Sequence, residues 1–141
     1  MYMNNSEKEA IETALLWHGE GFNKRDRKIL VDLMHFPHVR LWNNQFSIFN
    51  SEEEFLKGFD LQTQKLDQEG WTHTVTKDIQ AVQSDESKVH LLLLQSTRNK
   101  DDIEIENFQT LWIMTKIDGK WGIKFRSSFV AGSFQISEIT T

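Results

Sequence analysis

Histidine is the residue type in this chain that is best suited to acid–base chemistry, because its unperturbed pKa lies close to neutral pH. The sequence contains five histidines and no cysteine, which excludes disulfides and thiolate metal sites. His18 falls at helical spacing with three apolar residues, Ile11, Leu15 and Phe22. It should therefore point inward, either as an acid–base group for a bound molecule or as a core histidine bonded to a backbone carbonyl. We favour the core interpretation, because buried polar groups usually find protein partners.

A second candidate, His73, opens a predicted strand in the segment GWTHTVTK. Strand alternation places Trp71, His73 and Val75 on one face and the threonines on the other. An inward His73 would stand beside Trp71 at the edge of a pocket. The alternative is a half-exposed histidine at a strand end, and both interpretations stay open.

The remaining histidines give no sign of catalysis. His35 and His38 flank the only proline, Pro37, and we expect both to be solvated at a junction between helix and strand. There is no H-x-x-x-H pair and no cluster of histidine with aspartate, so we expect no metal and no other cofactor. His90 lies in the apolar run KVHLLLL, which predicts a place in the core or at a subunit interface.

Charged and hydroxyl side chains complete the set of candidates. Arg98 and Glu106 come from adjacent predicted strands and are placed to form an ion pair, either at a rim or around a polar ligand. In KWGIKFRSSF, alternation puts Ser127 inside and Arg126 on the outer face unless a bulge resets it. Arg126 would then bind an anionic ligand or an acid across a dimer, and we leave both open. Ser127 and Ser128 have no assigned base, and RSSF is not a nucleophile elbow.

Three predicted helices would hold these residues at the N-terminal side. Ser6 and Glu9 have capping-box spacing, and the first helix should run to about Phe22. Asp26 caps the second helix, and Pro37 should end it, because a residue before proline is pushed out of the α region. In the third helix, an N-cap serine is followed by glutamates and a glycine ends the pattern; these residues are Ser51 and Gly70.

The second half of the chain reads as strands joined by short connectors. A short hairpin is predicted around NNQ, and four long strands follow, at Trp71–Gln83, Lys88–Arg98, Ile103–Ile117 and Lys120–Val130. Asp118-Gly119 is a strong signal for a tight hairpin. Short connectors imply antiparallel pairing, so the fold class is α+β with the helices on one face of the sheet.

Length and composition limit the classes of function. With 141 residues the chain is expected to be a single domain, residues 1–141. A net charge of -5 argues against nucleic acid as a partner, and no apolar run is long enough to cross a membrane. The lack of cysteine fits a cytoplasmic location. Five tryptophans and ten phenylalanines supply rings for a core or a small-molecule pocket.

Several motifs resemble the nuclear transport factor 2-like superfamily, on its ketosteroid-isomerase and polyketide-cyclase side. They are FPHVR, a GW-x-H strand start, KVH and WG…RSSF, at Phe36–Arg40, Gly70–His73, Lys88–His90 and Trp121–Phe129. The resemblance covers roughly residues 8 to 130. It implies a cone-shaped, cystatin-like fold in which a strongly curved, mainly antiparallel sheet wraps around three helices. It also implies a ligand in the open end and a homodimer through the outer sheet face.

The resemblance bears on two candidates. His18 falls where the isomerases carry a tyrosine that bonds the substrate oxygen, counted from Asp26. The carboxylate base of those enzymes falls near Trp42, where the sequence has no acid, so isomerase activity by that mechanism is not expected.

We therefore predict a domain that binds a small hydrophobic or weakly polar ligand in the cone. The predicted pocket residues are His18, Phe22, Trp42, Trp71, His73, Arg98, Glu106 and Ser127. One alternative is an enzyme of the cyclase, dehydratase or isomerase type that uses His18 or His73 as its acid–base group. The other is a protein-interaction module that recruits partners on its sheet.

Overall fold

The computed structural model describes residues 4–128, and in this range the strands form a single sheet, with one helix inserted between the second and third strands. The helices are α1 (Asn5–Leu16), a π-helix that continues it (Trp17–Phe22), α2 (Arg27–Asp32) and α3 (Glu52–Gln68). The strands are β1 (Met34–Trp42), β2 (Gln45–Phe49), β3 (His73–Ser84), β4 (Lys88–Arg98), β5 (Glu104–Ile117) and β6 (Lys120–Ser128). Phe129 and Val130, which were predicted to extend the last strand, lie outside the described residues.

The first helix begins two residues earlier than predicted. Asn4 is the N-cap: its side-chain oxygen accepts a hydrogen bond from the backbone N–H of Glu7 at 2.9 Å. The Glu7 carboxylate in turn accepts from the Asn4 backbone N–H at 3.2 Å. Ser6 donates its hydroxyl to the Asn4 side chain and is not the cap. Asn-x-x-Glu offers the same reciprocal capping as the predicted Ser-x-x-Glu, and the earlier site satisfies the free N–H groups of this helix.

Pro37 does not end the second helix, contrary to the prediction. That helix stops at Asp32, and Pro37 lies inside β1 after a cis peptide bond. A proline has no backbone N–H to donate to a strand ladder, and at this position no ladder hydrogen bond is lost. The register between β1 and β6 shifts between Met34 and Val39, so the proline falls in the interrupted stretch.

The sheet has six strands in the order β2-β1-β6-β5-β4-β3. All neighbours are antiparallel except β1 and β6, which run parallel and bring the early strand against the last one. The two predicted hairpin turns are confirmed: Asn43 and Asn44 have positive φ, as do Asp118 and Gly119. The predicted Ser51 cap is confirmed, since its hydroxyl accepts from the Glu54 N–H at 3.2 Å.

The predicted fold class is confirmed as α+β, with helices packed against one face of a curved, mainly antiparallel sheet. We call the face that the helices cover the inner face. Part of this face is wholly apolar. There α1 and α2 pack on the sheet through Ala10, Ala14, Leu30, Val89, Leu91, Met114 and Ile123. Burying each large side chain of this set stabilises the fold by about 1.5–3 kcal/mol.

Candidate functional site

Two arginines lie side by side in the middle of the inner face. In the sheet register Trp112 of β5 is opposite Arg126 of β6, and Arg126 is opposite Arg40 of β1. Arg40 and Arg126 are each only 5% exposed. Side chains at such neighbouring register positions start about 5 Å apart, so this row of three residues brings two guanidinium groups together inside the protein.

A β-bulge places Arg126 in this row. The register passes from Ile113 opposite Phe125 to Met114 opposite Ile123, which leaves Lys124 as an extra residue in β6. Alternation counted from Trp121 had put Ser127 inside and Arg126 outside. The bulge reverses both residues, so Arg126 faces the helices and Ser127 faces outward between Leu41 and Leu111 in the register.

His38 holds Arg40 in place. Its Nε2 accepts a hydrogen bond from Arg40 Nε at 2.9 Å, and its Nδ1 lies 3.2 Å from the carbonyl oxygen of Ile123. His38 therefore carries its proton on Nδ1 and donates it to that carbonyl. The expectation that His38 is solvated is wrong, because it is fully buried. Burial and the nearby arginines, Arg40 first, hold the pKa of His38 well below its usual value.

The π-helix supplies the opposite wall of the site. Its wider turn buries four of its six residues, Trp17, His18, Gly21 and Phe22, and such turns are frequent at functional sites. The His18 ring stacks on Trp112 with centroids 5.7 Å apart. Burial, and then the charge of Arg126, lower the pKa of His18 to about 3, so its ring is neutral at physiological pH.

Aromatic rings surround the two guanidinium groups. Arg126 Cζ lies 4.8 Å from the ring centre of Trp112 and 5.7 Å from that of Trp17. Arg40 Cζ lies 5.4 Å from the ring centre of Phe55 and 5.9 Å from that of Phe49. Burial lowers the pKa of Arg126 to about 9, and burial together with Arg126 lowers that of Arg40. The guanidinium groups are thus close enough to repel one another.

Two residues further along each strand, the inner face carries hydroxyl groups and an indole. Thr110, Ser128 and Trp42 follow one another across three strands, and the two hydroxyls lie 2.8 Å apart. Gln95, further along β4, is fully buried. Within the part of the chain that the structure describes, several buried polar atoms have no hydrogen-bond partner: His18 Nδ1, Trp42 Nε1, Trp112 Nε1 and both amide atoms of Gln95.

His73 and Arg98 lie outside this group. His73 Nε2 is 2.9 Å from Asp102 Oδ1, which also accepts from Arg98 Nη1 at 3.1 Å. His73 is on the outer face, because the next residue of β3, Thr74, is the buried one. Arg98 is paired with His73 in the register and shares that face. The predicted pairing of Arg98 with Glu106 is wrong, because a register shift sets Arg98 opposite Glu104.

The other predicted pocket residues lie on the inner side. Glu106 is half-buried near the rim, where burial and the nearby Glu69 raise its pKa. Phe22 and Trp71 are buried with their ring centres 5.4 Å apart. Trp71 does not share a face with His73, because β3 begins only at His73 and alternation does not extend back to residue 71.

Sequence reasoning missed most of the central row. It did not propose Arg40, His38 or Trp112 for the site and left Arg126 undecided. A signal was available in FPHVRLW, where alternation places His38, Arg40 and Trp42 on one face. It was not used because the proline was assigned to the end of a helix.

Neither a membrane span nor a metal cluster emerges from residues 4–128. None of the helices there is both long and apolar enough to cross a membrane. In the same range, no group of three or more His, Asp or Glu side chains is placed to hold a metal ion.

Comparison with known proteins gives a family and a set of similar folds. Residues 9–126 match the family model described as NTF2-like protein (DUF6841). A protein of unknown function with a cystatin-like fold from Nostoc punctiforme has a TM-score of 0.71 at 17% identity, over 96% of this chain and 99% of that one. No curated protein sequence matches the chain.

Two further solved structures are similar. An NTF2-like protein with a cystatin-like fold from Novosphingobium aromaticivorans has a TM-score of 0.69 at 11% identity, over 96% of this chain and 89% of that one. A ketosteroid isomerase-like protein from Erwinia carotovora atroseptica has a TM-score of 0.61 at 14% identity, over 90% of this chain and 97% of that one. At these identities the likeness concerns the fold alone.

Proposed function

Because the chain belongs to the NTF2-like family, whose model matches residues 9–126, we propose that it binds a small molecule inside the curved sheet. The ligand would lie on the inner face beside the row formed by Trp112, Arg126 and Arg40. The resemblance to ligand-binding and isomerase-like folds supports this general role, and the inner face supplies its particular chemistry.

Buried polar atoms that lack hydrogen bonds carry the proposal. His18 Nδ1, Trp112 Nε1 and the Gln95 amide are buried without a partner among residues 4–128. A buried polar group left unsatisfied costs about 1–3 kcal/mol, and most native proteins satisfy more than nine in ten of theirs. Several such atoms on one inner face are best explained by a ligand that bonds to them.

The His18 side chain is better suited to binding a ligand than to acid–base catalysis. An imidazole whose pKa is lowered to about 3 is neutral at pH 7 and is too weak a base to take a proton from carbon. His73, the other catalytic candidate, forms its contacts with Asp102 and Thr72 on the outer face. We therefore assign His18 the role of a hydrogen-bonding group toward the ligand.

A thermal-shift screen tests the proposal, with tryptophan fluorescence as a second readout because Trp17 and Trp112 border the site. The probes are 2-naphthol, 2-naphthamide, 2-naphthoate and decanoate. A ligand at about ten times its Kd should add about 1.4 kcal/mol of stability, or about 3–6 °C in Tm for a chain of this size.

Two histidine variants locate the site. His18→Gln should weaken the response to any probe that binds, whereas His90→Gln should preserve it, since His90 lies on the outer face beside Gln83. An equal response in both variants would place the ligand elsewhere, and no response to any probe would contradict the binding function.

We also propose that the protein is a homodimer through its outer sheet face and that it works in the cytoplasm. Two apolar rows cross that face, Ile48-Val39-Phe125-Ile113 and Phe46-Leu41-Ser127-Leu111-Leu92. The members of these rows on the edge strand β2 are exposed, Phe46 by 63% and Ile48 by 55%. The rows contain no charged residue, so a second copy of the same surface can pack on them without burying a charge.

A further inference from the structure

We propose that the ligand carries a neutral amide group on an apolar body, and that this group pairs with the side-chain amide of Gln95 on the inner face. The inference rests on the proposed function and concerns the ligand class for that same site. It distinguishes a ligand with a carbonyl oxygen beside an N–H from a carboxylate and from a ketone, which both lack the N–H donor.

Gln95 occupies a core position of β4. Its side chain lies in line with those of Leu91 and Leu93, and each of the three residues is at most 1% exposed. Strand alternation directs all three toward the helices, into the interior that also holds Trp112, which is opposite Leu91 in the register. A glutamine at such a position has given up its contacts with water and needs other hydrogen-bond partners.

Both polar atoms of the Gln95 amide, Oε1 and Nε2, are buried without a hydrogen-bond partner in the range 4–128. Rotating the amide by half a turn only exchanges the two atoms, so the same number of bonds would still be missing. Few buried side-chain polar atoms in native proteins are left in this state. A bound molecule that supplies both a donor and an acceptor would account for it.

The nearby hydroxyl groups of the inner face are already used in other hydrogen bonds. Thr97, the next inner residue of β4, donates to a backbone carbonyl of β5 at 3.2 Å. Thr110, diagonal to Gln95 on β5, lies 2.8 Å from the Ser128 hydroxyl and 3.2 Å from the Ser127 carbonyl oxygen. The Gln95 oxygen therefore has no free donor among these neighbours.

The two atoms of the Gln95 amide place an acceptor beside a donor, and this pair selects the chemistry of the ligand. A primary amide, a lactam or a urea presents the matching pair and can form two parallel N–H···O bonds with Gln95. A carboxylate has acceptors only, so one of its oxygens would face the Gln95 oxygen. A ketone can accept from Nε2 but leaves Oε1 unpaired.

Aromatic rings provide the apolar surface beside this pair. Phe108 is opposite Gln95 in the register and is 6% exposed. Phe22 and Trp71 are also buried, with ring centres 5.4 Å apart. The indole N–H of Trp71 already donates to Thr74 Oγ1 at 2.9 Å, so its ring offers apolar contact. Rings of this kind bind flat apolar groups well, which favours an amide on an aromatic or alkyl body.

Matched pairs of amide and methyl ketone test the inference, because NH2 and CH3 differ in hydrogen bonding and hardly in shape. The pairs are 2-naphthamide with methyl 2-naphthyl ketone, phenylacetamide with phenylacetone and decanamide with 2-undecanone, and the charged analogues are 2-naphthoate, phenylacetate and decanoate. Calorimetry and tryptophan quenching measure binding. The amide of the best-fitting set should bind about fivefold or more tighter than its ketone, since the ketone leaves a buried oxygen unpaired.

Variants then assign the effect to Gln95. Gln95→Met has a similar volume without the amide and should reduce the amide-over-ketone ratio to about twofold or less. It should also raise the Tm of the unliganded protein by about 2 °C or more, because two unpaired polar atoms leave the interior. Gln109→Met is the matched control, since Gln109 is exposed on the outer face of β5 opposite Leu94, and should change neither quantity. The wild-type ratio does not depend on the folding of any variant.

Each outcome decides between the proposals. A ketone that binds as tightly as its amide would overturn the amide inference and leave the binding function standing, and so would an acid that binds more tightly than its amide. Failure of every probe to bind would overturn both. A ratio that Gln95→Met leaves unchanged, or a Tm that falls in that variant, would remove Gln95 from the site.

Discussion

Replacing His18 by phenylalanine should flatten the dependence of stability on pH. The folded protein lowers the pKa of His18 from 6.5 to about 3, through burial first and then the charge of Arg126. Stability from this neutral histidine is complete above pH 6.5 and is lost as the pH falls toward 3, because the unfolded chain binds the proton first. At about pH 5, which is about 1.5 units below 6.5, the loss is about 2 kcal/mol at 1.36 kcal/mol per unit.

Urea unfolding at about pH 7.5 and about pH 5 measures this loss. The wild type should lose more than 2 kcal/mol between the two conditions, since the pKa values of His38 and His35 are also lowered. His18→Phe, whose ring can still stack on Trp112, should lose about 2 kcal/mol less than the wild type. Phe22→Leu is the control, because it alters the neighbouring core without removing a titratable group. If His18→Phe and the wild type lose stability equally, His18 is not held neutral by the fold.

Two further predictions concern the sheet. Gly122→Ala should cost about 1–3 kcal/mol in urea unfolding, because its Cβ would lie 2.9 Å from the His35 ring. Gly19→Ala has nothing within 4 Å and should be neutral or stabilising by up to about 1 kcal/mol; a large loss there would refute the steric account. Leu111→Glu, in the middle of the outer face, should convert a dimer to monomer in light scattering. Ile117→Glu, exposed at the end of β5, should not, and a wild-type monomer would contradict the dimer proposal.

The fold was predictable because its signals are local. The Asp118-Gly119 turn and the Ser51 cap depend on a few neighbouring residues, and both were read correctly. The limits of β4, Lys88–Arg98, were also read correctly, since a continuous apolar run between polar connectors marks the strand. The Pro37 assignment failed because the cost of a proline depends on the ladder beside it, and the shifted register of β6 removes that cost.

The candidate site was less predictable because its residues meet through pairings between distant parts of the chain. Arg40 and Arg126 become neighbours only through the parallel pairing of β1 with β6, which no short connector announces. His18 was recognised as inward from helical spacing, but the Trp112 ring that stacks on it and the Arg126 charge that lowers its pKa lie on the opposite wall.

The amino-acid sequence by itself determined the order of helices and strands, the turns between most of them and the family, because these depend on local periodicity and motifs. Only the tertiary structure decided which side chains face the interior near residue 126. Strand alternation has a period of two, so the single extra residue Lys124 exchanges the inner and outer faces for all that follows it in β6. That exchange brings Arg126 to the inner face beside Arg40.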